Sequence, residues 1–312
     1  MTQCLVTGGA GFIGSHLVRG ILQRGWRVRV LDDLSSGHRK NLDELGDKVE
    51  LVVGDICDAA VCHRAVAGCD YVFHMAAMGS VPRSVDDPMR THRINDTGTL
   101  NILVAARDAK ARRVVFSASS SAYGDTPTLP KREDMMPRPL SPYAVSKLAG
   151  ENYCKAFTAC YGLQTISLRY FNVFGPRQDP NSQYAAVIPA FISRLLKGER
   201  PVIYGDGGQT RDFCYVDNVV NANLLAAEAA SLNGETVNIA CGESISLNAM
   251  LRVMNDSLGT KVEPIYEPVR KGDVRDSLAA LDEAKRVIGY VPRVTFEDGL
   301  RRSIEWYRAN LR

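Results

Sequence analysis

The segment "CLVTGGAGFIGSHLV" (residues 4–18) joins an apolar run to a helical pattern through three glycines, Gly8, Gly11 and Gly14. Glycines at this spacing, directly after a strand and at the start of a helix, permit a tight turn, close approach of a pyrophosphate and close helix–strand packing. The phosphates would lie against backbone N–H groups at the helix N-terminus. We therefore predict a dinucleotide site here, with Phe12 and Ile13 in the same turn.

The remainder of the N-terminal half repeats this strand–helix alternation. Further runs rich in Val, Ile and aromatic residues are predicted strands: 27–33, 49–55, 70–77, 113–119 and 164–173. They are nearly continuous in apolar character, which is typical of strands buried on both faces. Helical patterns lie between them, for example over 14–25 and 97–110. The alternation predicts a doubly wound parallel α/β sheet of the Rossmann type.

The pattern loosens after about residue 175. Short predicted strands at 201–205 and 236–240 mix with helices there. We predict a Rossmann domain over 1–173, to which 212–245 returns. The remainder of 174–312 is predicted to form a smaller C-terminal α/β domain that binds the substrate.

The composition predicts a globular protein with neither a nucleic-acid nor a membrane partner. Of the 312 residues, 45% are hydrophobic, and the net charge is +3 without a long basic run. Nucleic-acid binding is therefore not expected. No apolar stretch reaches the ~18 residues that a transmembrane helix needs. The first residues lack the pattern of a signal peptide, so a cytoplasmic location is predicted.

The eight cysteines are predicted to be reduced thiols rather than a disulfide framework. The richest cluster contains Cys57, Cys62, His63 and Cys69. None of its spacings is the tight Cys-x-x-Cys of a zinc site, so no metal is predicted.

Polar residues at the ends of the predicted strands indicate how the dinucleotide is held. Asp32 ends the second strand, where a carboxylate would take the adenosine ribose hydroxyls. A 2′-phosphate would face that charge, so NAD is favoured over NADP. The nearby Arg39 and Lys40 argue for NADP unless they are solvated loop charges. Contacts to adenine and the diphosphate are expected from the ends of the third and fourth strands, at Asp55, Ile56, Ala76 and Ala77.

A hydroxyl–phenol–amine group follows the fifth strand. That strand ends in Ser119, Ser120 and Ser121, and the next predicted helix carries Tyr143 and Lys147 four residues apart on one face. Ligands of open α/β sheets bind beyond the carboxyl ends of the strands. A phenol has an ordinary pKa near 10, and we expect the neighbouring ammonium group and bound NAD to lower the pKa of Tyr143 toward that of a useful base.

Five motifs in this order resemble the extended short-chain dehydrogenase/reductase family, in particular its nucleotide-sugar 4-epimerases. They are "TGGAGFIG" (7–14), "NDTGTLN" (95–101), "YAVSK" (143–147), "RYFNVFGPRQ" (169–178) and "GDGGQTRDFCYVDNV" (205–219). The resemblance implies that Ser119 hydrogen-bonds the sugar hydroxyl, that Tyr143 is the base and that Lys147 is its electrostatic partner. It also implies that Asn95 anchors the Lys147 region and that Tyr170 contacts the cofactor.

The same resemblance implies roles for residues of the second half. Asn172 would contact the diphosphate of the nucleotide, and Arg211 and Arg270 would clamp its phosphates unless they form surface salt bridges. The nucleoside contacts implied by the resemblance are Asp273 at the uridine ribose and Val187 and Tyr204 at the uracil.

The reaction predicted from this resemblance is epimerisation and not dehydration. Dehydratases of the family have "TDE" where this chain has "SSS" (119–121), and Ser120 and Ser121 supply neither of the carboxyl groups that expel water. The expected reaction is reversible oxidation at C4: Tyr143 takes the O4 proton, NAD accepts the C4 hydride, and the keto sugar turns over before reduction.

Ser277 leads us to predict an N-acetylated substrate. Epimerases restricted to glucose and galactose have a bulky tyrosine at this place, and a serine leaves room for an acetamido group. Ser80, Val81 and Arg83 are expected in the same pocket, in a segment that resembles epimerases of UDP-hexosamines. The predicted substrates are UDP-GlcNAc and UDP-GalNAc, with UDP-Glc and UDP-Gal, or UDP-glucuronate through Arg83, as alternatives.

The resemblance further implies a homodimer formed through the helices around 90–110 and 141–160. A non-catalytic, dinucleotide-binding regulator is the alternative from another functional class. Such regulators typically lack the tyrosine or the lysine, and this chain has both.

Overall fold

The computed structural model describes residues 1–180, 186–269 and 275–311. Its strands are β1 (Gln3–Thr7), β2 (Arg27–Asp32), β3 (Val49–Val53), β4 (Tyr71–His74), β5 (Arg113–Ser119), β6 (Gln164–Tyr170), β7 (Val173–Phe174), β8 (Val202–Tyr204), β9 (Thr210–Arg211), β10 (Cys214–Tyr215), β11 (Glu235–Ile239), β12 (Ile245–Ser246) and β13 (Ile265–Glu267). Its α-helices are α1 (Phe12–Gln23), α2 (Ala59–Val66), α3 (Val81–Asp86), α4 (Pro88–His92), α5 (Gly98–Asp108), α6 (Pro142–Tyr161), α7 (Val187–Leu196), α8 (Val216–Glu228), α9 (Leu247–Leu258), α10 (Asp282–Ile288) and α11 (Phe296–Asn310).

Seven parallel strands form the central sheet in the order β11-β6-β5-β4-β1-β2-β3. Strand order reverses between β1 and β4, and this reversal is the topological switch point at which open α/β sheets bind ligands. The predicted Rossmann-type α/β fold is confirmed. The last strand of the sheet, β11, comes from the second half of the chain and pairs with β6.

Two apolar clusters cover the faces of the sheet. One contains residues of α1 and α8, such as Leu17 and Leu224, and the other contains residues of α2, α5 and α6, such as Ile102 and Phe157. Because both faces are covered, strand residues such as Leu5 and Val30 are fully buried, and this explains the nearly continuous apolar runs.

A separate cluster holds together much of the second half of the chain. Aromatic residues, among them Phe174, Phe213 and Phe296, pack with side chains of α7, α9 and α11. The division of the chain at residues 173 and 174 stays a prediction. No helix among the described residues is long and apolar enough to cross a membrane.

Candidate active site and cofactor cleft

The glycine-rich turn between β1 and α1 is too tight for side chains. Gly8 has a φ of +68°, and a Cβ on it would lie 2.8 Å from the backbone of Ala76. A Cβ on Gly14 would lie 2.2 Å from the carbonyl oxygen of Gly8. The missing side chains let α1 approach β1 closely and leave its N-terminus open to the cleft, as binding of a pyrophosphate requires.

A cleft of about 610 Å³ begins at this turn and crosses the carboxyl ends of the strands. The structure places these predicted cofactor residues in its wall: Gly8, Gly11, Phe12, Ile13, Gly14, Asp32, Asp55, Ile56, Ala76 and Ala77. Ser80 and Arg83, which were predicted to contact the sugar, also line it.

The buried carboxylate of Asp32 marks one end of the cleft. Its Oδ2 accepts the Ala10 N–H and its Oδ1 accepts the Leu34 N–H, each at 2.9 Å. Burial raises the pKa of Asp32, and these two hydrogen bonds oppose the rise. Arg39 and Lys40 are exposed and do not line the cleft, so neither brings a positive charge to its wall beside Asp32.

Tyr143 and Lys147 lie one turn apart on α6. The helix begins at Pro142 after Ser141, whose Oγ accepts the Ala144 N–H (3.2 Å). The Lys147 Nζ donates to the Ser117 carbonyl oxygen (2.7 Å) and lies 6.0 Å from the centroid of the Tyr143 ring. Burial lowers the pKa of Lys147 to about 8.

The pKa of Tyr143 differs from the sequence-based expectation. Burial raises it, and a hydrogen bond with Ser119 lowers it in part. The net effect of the protein's own groups is therefore to raise the pKa of this phenol, because its desolvation outweighs the hydrogen bond with Ser119.

Ser119 and Ser121 interact where β5 ends. The Ser119 Oγ accepts from the Ser121 N–H (3.2 Å) and the Ser121 hydroxyl (2.9 Å), which begins the short 3₁₀ turn Ser120–Tyr123. Ser119 therefore keeps its own hydroxyl hydrogen for Tyr143 or for a ligand.

A π-helical turn, Arg93–Thr97, joins α4 to α5 and carries Asn95. The Asn95 Oδ1 accepts the Met78 N–H (2.8 Å), and its Nδ2 donates to the Ser146 Oγ (2.9 Å). The Ser146 hydroxyl donates to the Tyr143 carbonyl oxygen (2.8 Å). Asn95 thus links the cleft wall at Met78 to the first turn of α6, and π turns occur frequently at functional sites.

His74 connects β1, β4 and α5 below the cleft. Its Nδ1 lies 2.7 Å from the Thr7 Oγ1 and its Nε2 lies 2.9 Å from the Thr99 Oγ1. The Thr7 Oγ1 also accepts the Ala76 N–H (3.1 Å). Burial, and secondarily the charge of Lys147, lower the pKa of His74 to about 3, so its imidazole is neutral.

Asn172 and Ser277 are hydrogen-bonded to each other, and neither lines the cleft. The Asn172 Nδ2 donates to the Ser277 Oγ (3.0 Å) and to the Asp212 carbonyl oxygen (3.0 Å), and the Asp212 N–H donates to the Ser277 Oγ (3.2 Å). The Asp212 carboxylate accepts three backbone N–H groups, those of Cys241, Gly242 and Ala279. The Asp212 carboxylate therefore fixes two chain segments, around residues 241 and 279, next to Ser277.

The remaining predicted residues that the structure describes do not line the cleft. The Tyr170 side chain is buried in the core, and its hydroxyl accepts from the Asn223 Nδ2 (2.8 Å), so it does not line the cleft. The Arg211 guanidinium donates to the carbonyl oxygens of Thr210 and Arg275. Val187 begins α7, Tyr204 ends β8 and Val81 begins α3. Arg270 and Asp273 lie outside the described residues.

Sequence reasoning missed part of the cleft wall. The additional lining residues include Ser35, Ser36, Gly37 and His38 after β2, Arg90 on α4, and Gln178 and Asp179 after β7. The polar segment directly after Asp32 was a usable signal, because loops at the carboxyl ends of strands bind ligands. Arg90, Gln178 and Asp179 reach the cleft only through tertiary packing.

Comparisons with known proteins agree with this geometry. Residues 4–240 match the model of the NAD dependent epimerase/dehydratase family. The UDP-glucose 4-epimerase of Mycolicibacterium smegmatis is 41% identical over 310 residues, which cover 98% of each chain.

Two solved structures superpose closely. The UDP-N-acetylglucosamine 4-epimerase of Methanobrevibacter ruminantium, in complex with UDP-N-acetylmuramic acid, has a TM-score of 0.95 at 41% identity and covers 99% of this chain and 98% of its own. The UDP-glucose 4-epimerase of Thermus thermophilus, in complex with NAD, has a TM-score of 0.89 at 35% identity and covers 99% and 100%.

Proposed function

Because the chain belongs to the NAD dependent epimerase/dehydratase family, we propose that it interconverts UDP-GlcNAc and UDP-GalNAc by epimerisation at C4. The family of UDP-sugar epimerases predicted from the motifs is thereby confirmed. Its relatives are named for both UDP-glucose and UDP-N-acetylglucosamine, so the choice of sugar rests on the residues of this chain.

NAD is the cofactor, and the glycine turn and Asp32 in the wall of the cleft fit it. The glycine turn has no space for a Cβ at Gly8 or Gly14, and the Asp32 carboxylate lies at one end of the cleft. When bound, NAD supplies the hydride acceptor and donor for C4 of the sugar. The protein would contribute the backbone N–H groups of α1 and the Asp32 carboxylate for the ribose hydroxyls.

The observation that carries the proposal is the meeting of Ser119, Tyr143 and Lys147 at the carboxyl edge of the sheet. We assign to Tyr143 the transfer of the O4 proton and to Ser119 the orientation of the O4 hydroxyl. The Lys147 ammonium group stabilises the phenolate form of Tyr143, which accepts the O4 proton and becomes a neutral phenol. Ser120 and Ser121 provide no carboxyl group, so no acid–base pair for the loss of water is proposed.

Ser277 supports the acetamido substrate. Its Oγ accepts two N–H groups, from Asn172 and Asp212, and therefore keeps a hydroxyl hydrogen to donate. The carbonyl oxygen of an acetamido group is a suitable acceptor for that hydrogen. In our proposal, Ser80, Val81 and Arg83 complete the sugar pocket, and Asn172 and Arg211 contact the diphosphate. Arg270 and Asp273, outside the described residues, are proposed to contact the phosphates and the uridine ribose, and Val187 and Tyr204 the uracil.

The experiment that tests the proposal is proton NMR of the purified protein with UDP-GlcNAc and without added NAD. Growth of the anomeric signal of UDP-GalNAc toward an equilibrium mixture is the expected result. Turnover of UDP-Gal or of UDP-glucuronate alone would replace the proposed substrate but keep the reaction. A protein that purifies with NAD and turns over none of these sugars would instead be a dinucleotide-binding regulator.

Ser277→Tyr tests the steric argument. We expect the variant to lose at least 100-fold in kcat/KM for UDP-GlcNAc while retaining turnover of UDP-Gal, because a clash with the acetamido group costs about 3 kcal/mol or more. Ser277→Ala is the control, since it removes the two accepted hydrogen bonds, worth about 1 kcal/mol each, without adding bulk. An equal loss on both sugars in Ser277→Tyr would contradict the assignment.

A further inference from the structure

A buried ion pair lies one helical turn beyond Lys147. Tyr143, Lys147 and Glu151 follow at four-residue intervals on α6 and therefore share one face of the helix. Glu151 is completely buried, and its two carboxylate oxygens accept from the Nε (2.8 Å) and Nη2 (2.7 Å) of Arg169 on β6. This bidentate pair ties α6 to the strand beneath it.

Stability alone does not explain such a pair. Buried ion pairs pay a large desolvation cost, and apolar residues of similar volume often stabilise a fold equally well. The Nη1 of Arg169 has no hydrogen-bond partner among the described residues, although the guanidinium lies over the Tyr123 ring at 4.6 Å. The pair therefore leaves one buried donor unsatisfied, which is a further cost to the folded state.

The negative charge of the Glu151 carboxylate favours the protonated form of Lys147. The lysine is buried, and its Nζ donates to the carbonyl oxygen and the hydroxyl of Ser117, neither of which carries a charge. Burial favours the neutral amine, and Glu151 is the carboxylate that opposes this effect. Loss of that carboxylate would favour the neutral amine further, and a neutral amine has no charge with which to stabilise the Tyr143 phenolate.

Among the residues that the structure describes, the other ionisable groups around Lys147 supply no second anion. His74 on β4 is neutral, and Arg169 on β6 is a cation whose charge Glu151 compensates. Burial raises the pKa of Tyr143 on α6, so without bound cofactor its phenol adds no negative charge. The carboxylate of Asp96 in the π turn pairs with another residue, because its Oδ2 lies 3.4 Å from the Nδ1 of His92.

We propose that Glu151 is a positioning residue of the reaction: its pair with Arg169 holds the Tyr143–Lys147 face of α6 on β6, and its charge keeps the Lys147 amine protonated. The inference rests on the proposed function, because it assigns Lys147 the role of a catalytic cation. It adds a residue that touches neither sugar nor cofactor.

The test follows the protonation of Lys147 directly. Protein as purified, labelled with [ε-¹³C]lysine, is titrated by NMR, and the Lys147 signal is assigned with Lys147→Arg. In Glu151→Gln, Arg169 is left uncompensated, and we expect the lysine titration and the alkaline limb of kcat/KM to move down by at least about one pH unit. In Glu151→Gln/Arg169→Met both charges are gone, so the Lys147 titration should move down by less than in Glu151→Gln.

Arg169→Lys separates stability from charge. It loses the bidentate geometry and should lower Tm, but it retains Glu151, so the lysine titration should remain that of the wild type. A Glu151→Gln protein with lower Tm and an unchanged Lys147 titration would overturn the proposal. If Glu151→Gln fails to fold, the double variant decides, because a wild-type titration there would equally overturn it. Wild-type protein that turns over no UDP-sugar would refute the proposed function, while the lysine titration would still test the charge of Lys147.

Discussion

Replacing Gly14 with alanine should disrupt the cofactor turn. The new Cβ would lie 2.2 Å from the Gly8 carbonyl oxygen and 2.8 Å from the Gly9 Cα, whereas real Cβ contacts stay beyond 3.0 Å. The turn or α1 must therefore move by about 0.8 Å, and both are backbone. Overpacking of this kind costs about 1–3 kcal/mol. At about 2–4 °C per kcal/mol, we expect Tm to fall by about 2–12 °C.

The same displacement should weaken NAD binding, because it moves the N–H groups at the start of α1. The assay is the NAD content of purified protein, released by denaturation and quantified by chromatography, together with scanning calorimetry. Gly79→Ala is the matched control, since Gly79 lines the same cleft and a Cβ there meets nothing within 4 Å. Gly11→Ala, with its Cβ 3.2 Å from the Gly8 carbonyl oxygen, should be intermediate. If Gly14→Ala has the same NAD content and the same Tm as Gly79→Ala, the reasoning is refuted.

Two further predictions concern pH and assembly. The pKa of His74 is lowered to about 3 by burial, so its contribution to stability is complete above its unfolded pKa of about 6.5 and is lost as the pH falls. Urea unfolding should therefore show the wild type losing about 2 kcal/mol more than His74→Gln between pH 7.5 and 5, and equal losses would contradict this. The predicted homodimer should use the exposed Val145, Tyr153 and Tyr161 of α6, of which 52%, 36% and 55% is accessible. Light scattering should show Val145→Glu/Tyr153→Glu as a monomer where the wild type is a dimer, and a monomeric wild type would contradict the prediction.

The parts of the fold that could be read from the sequence are those with a local pattern. The run at 113–119 coincides with β5, and the run at 27–33 with β2 to within one residue, because continuous burial leaves an uninterrupted apolar signature. The glycine turn and the Tyr143–Lys147 pair were recognisable because their spacing carries the chemistry. Their assigned roles remain predictions.

Other features depend on contacts between residues that are distant in the sequence, so they produce no local sequence pattern. The Asp212 carboxylate accepts hydrogen bonds from segments around residues 241 and 279. The Glu151 carboxylate pairs with a strand residue, Arg169. The raised pKa of Tyr143 likewise comes from burial, which depends on the packed helix and not on the adjacent sequence. Such effects appear only when the tertiary arrangement is known.

The position of β11 affects how the chain can fold during synthesis. This strand completes the sheet beside β6, and α8, which covers α1, also comes from the second half of the chain. A ribosome that has delivered only the first 173 residues has therefore exposed an unpaired β6 edge and an uncovered apolar face. Such edges attract other strands, so the nascent protein is most prone to aggregation in this interval. A split or truncated version ending there should need a chaperone or a complementary fragment that contains residues 212–245.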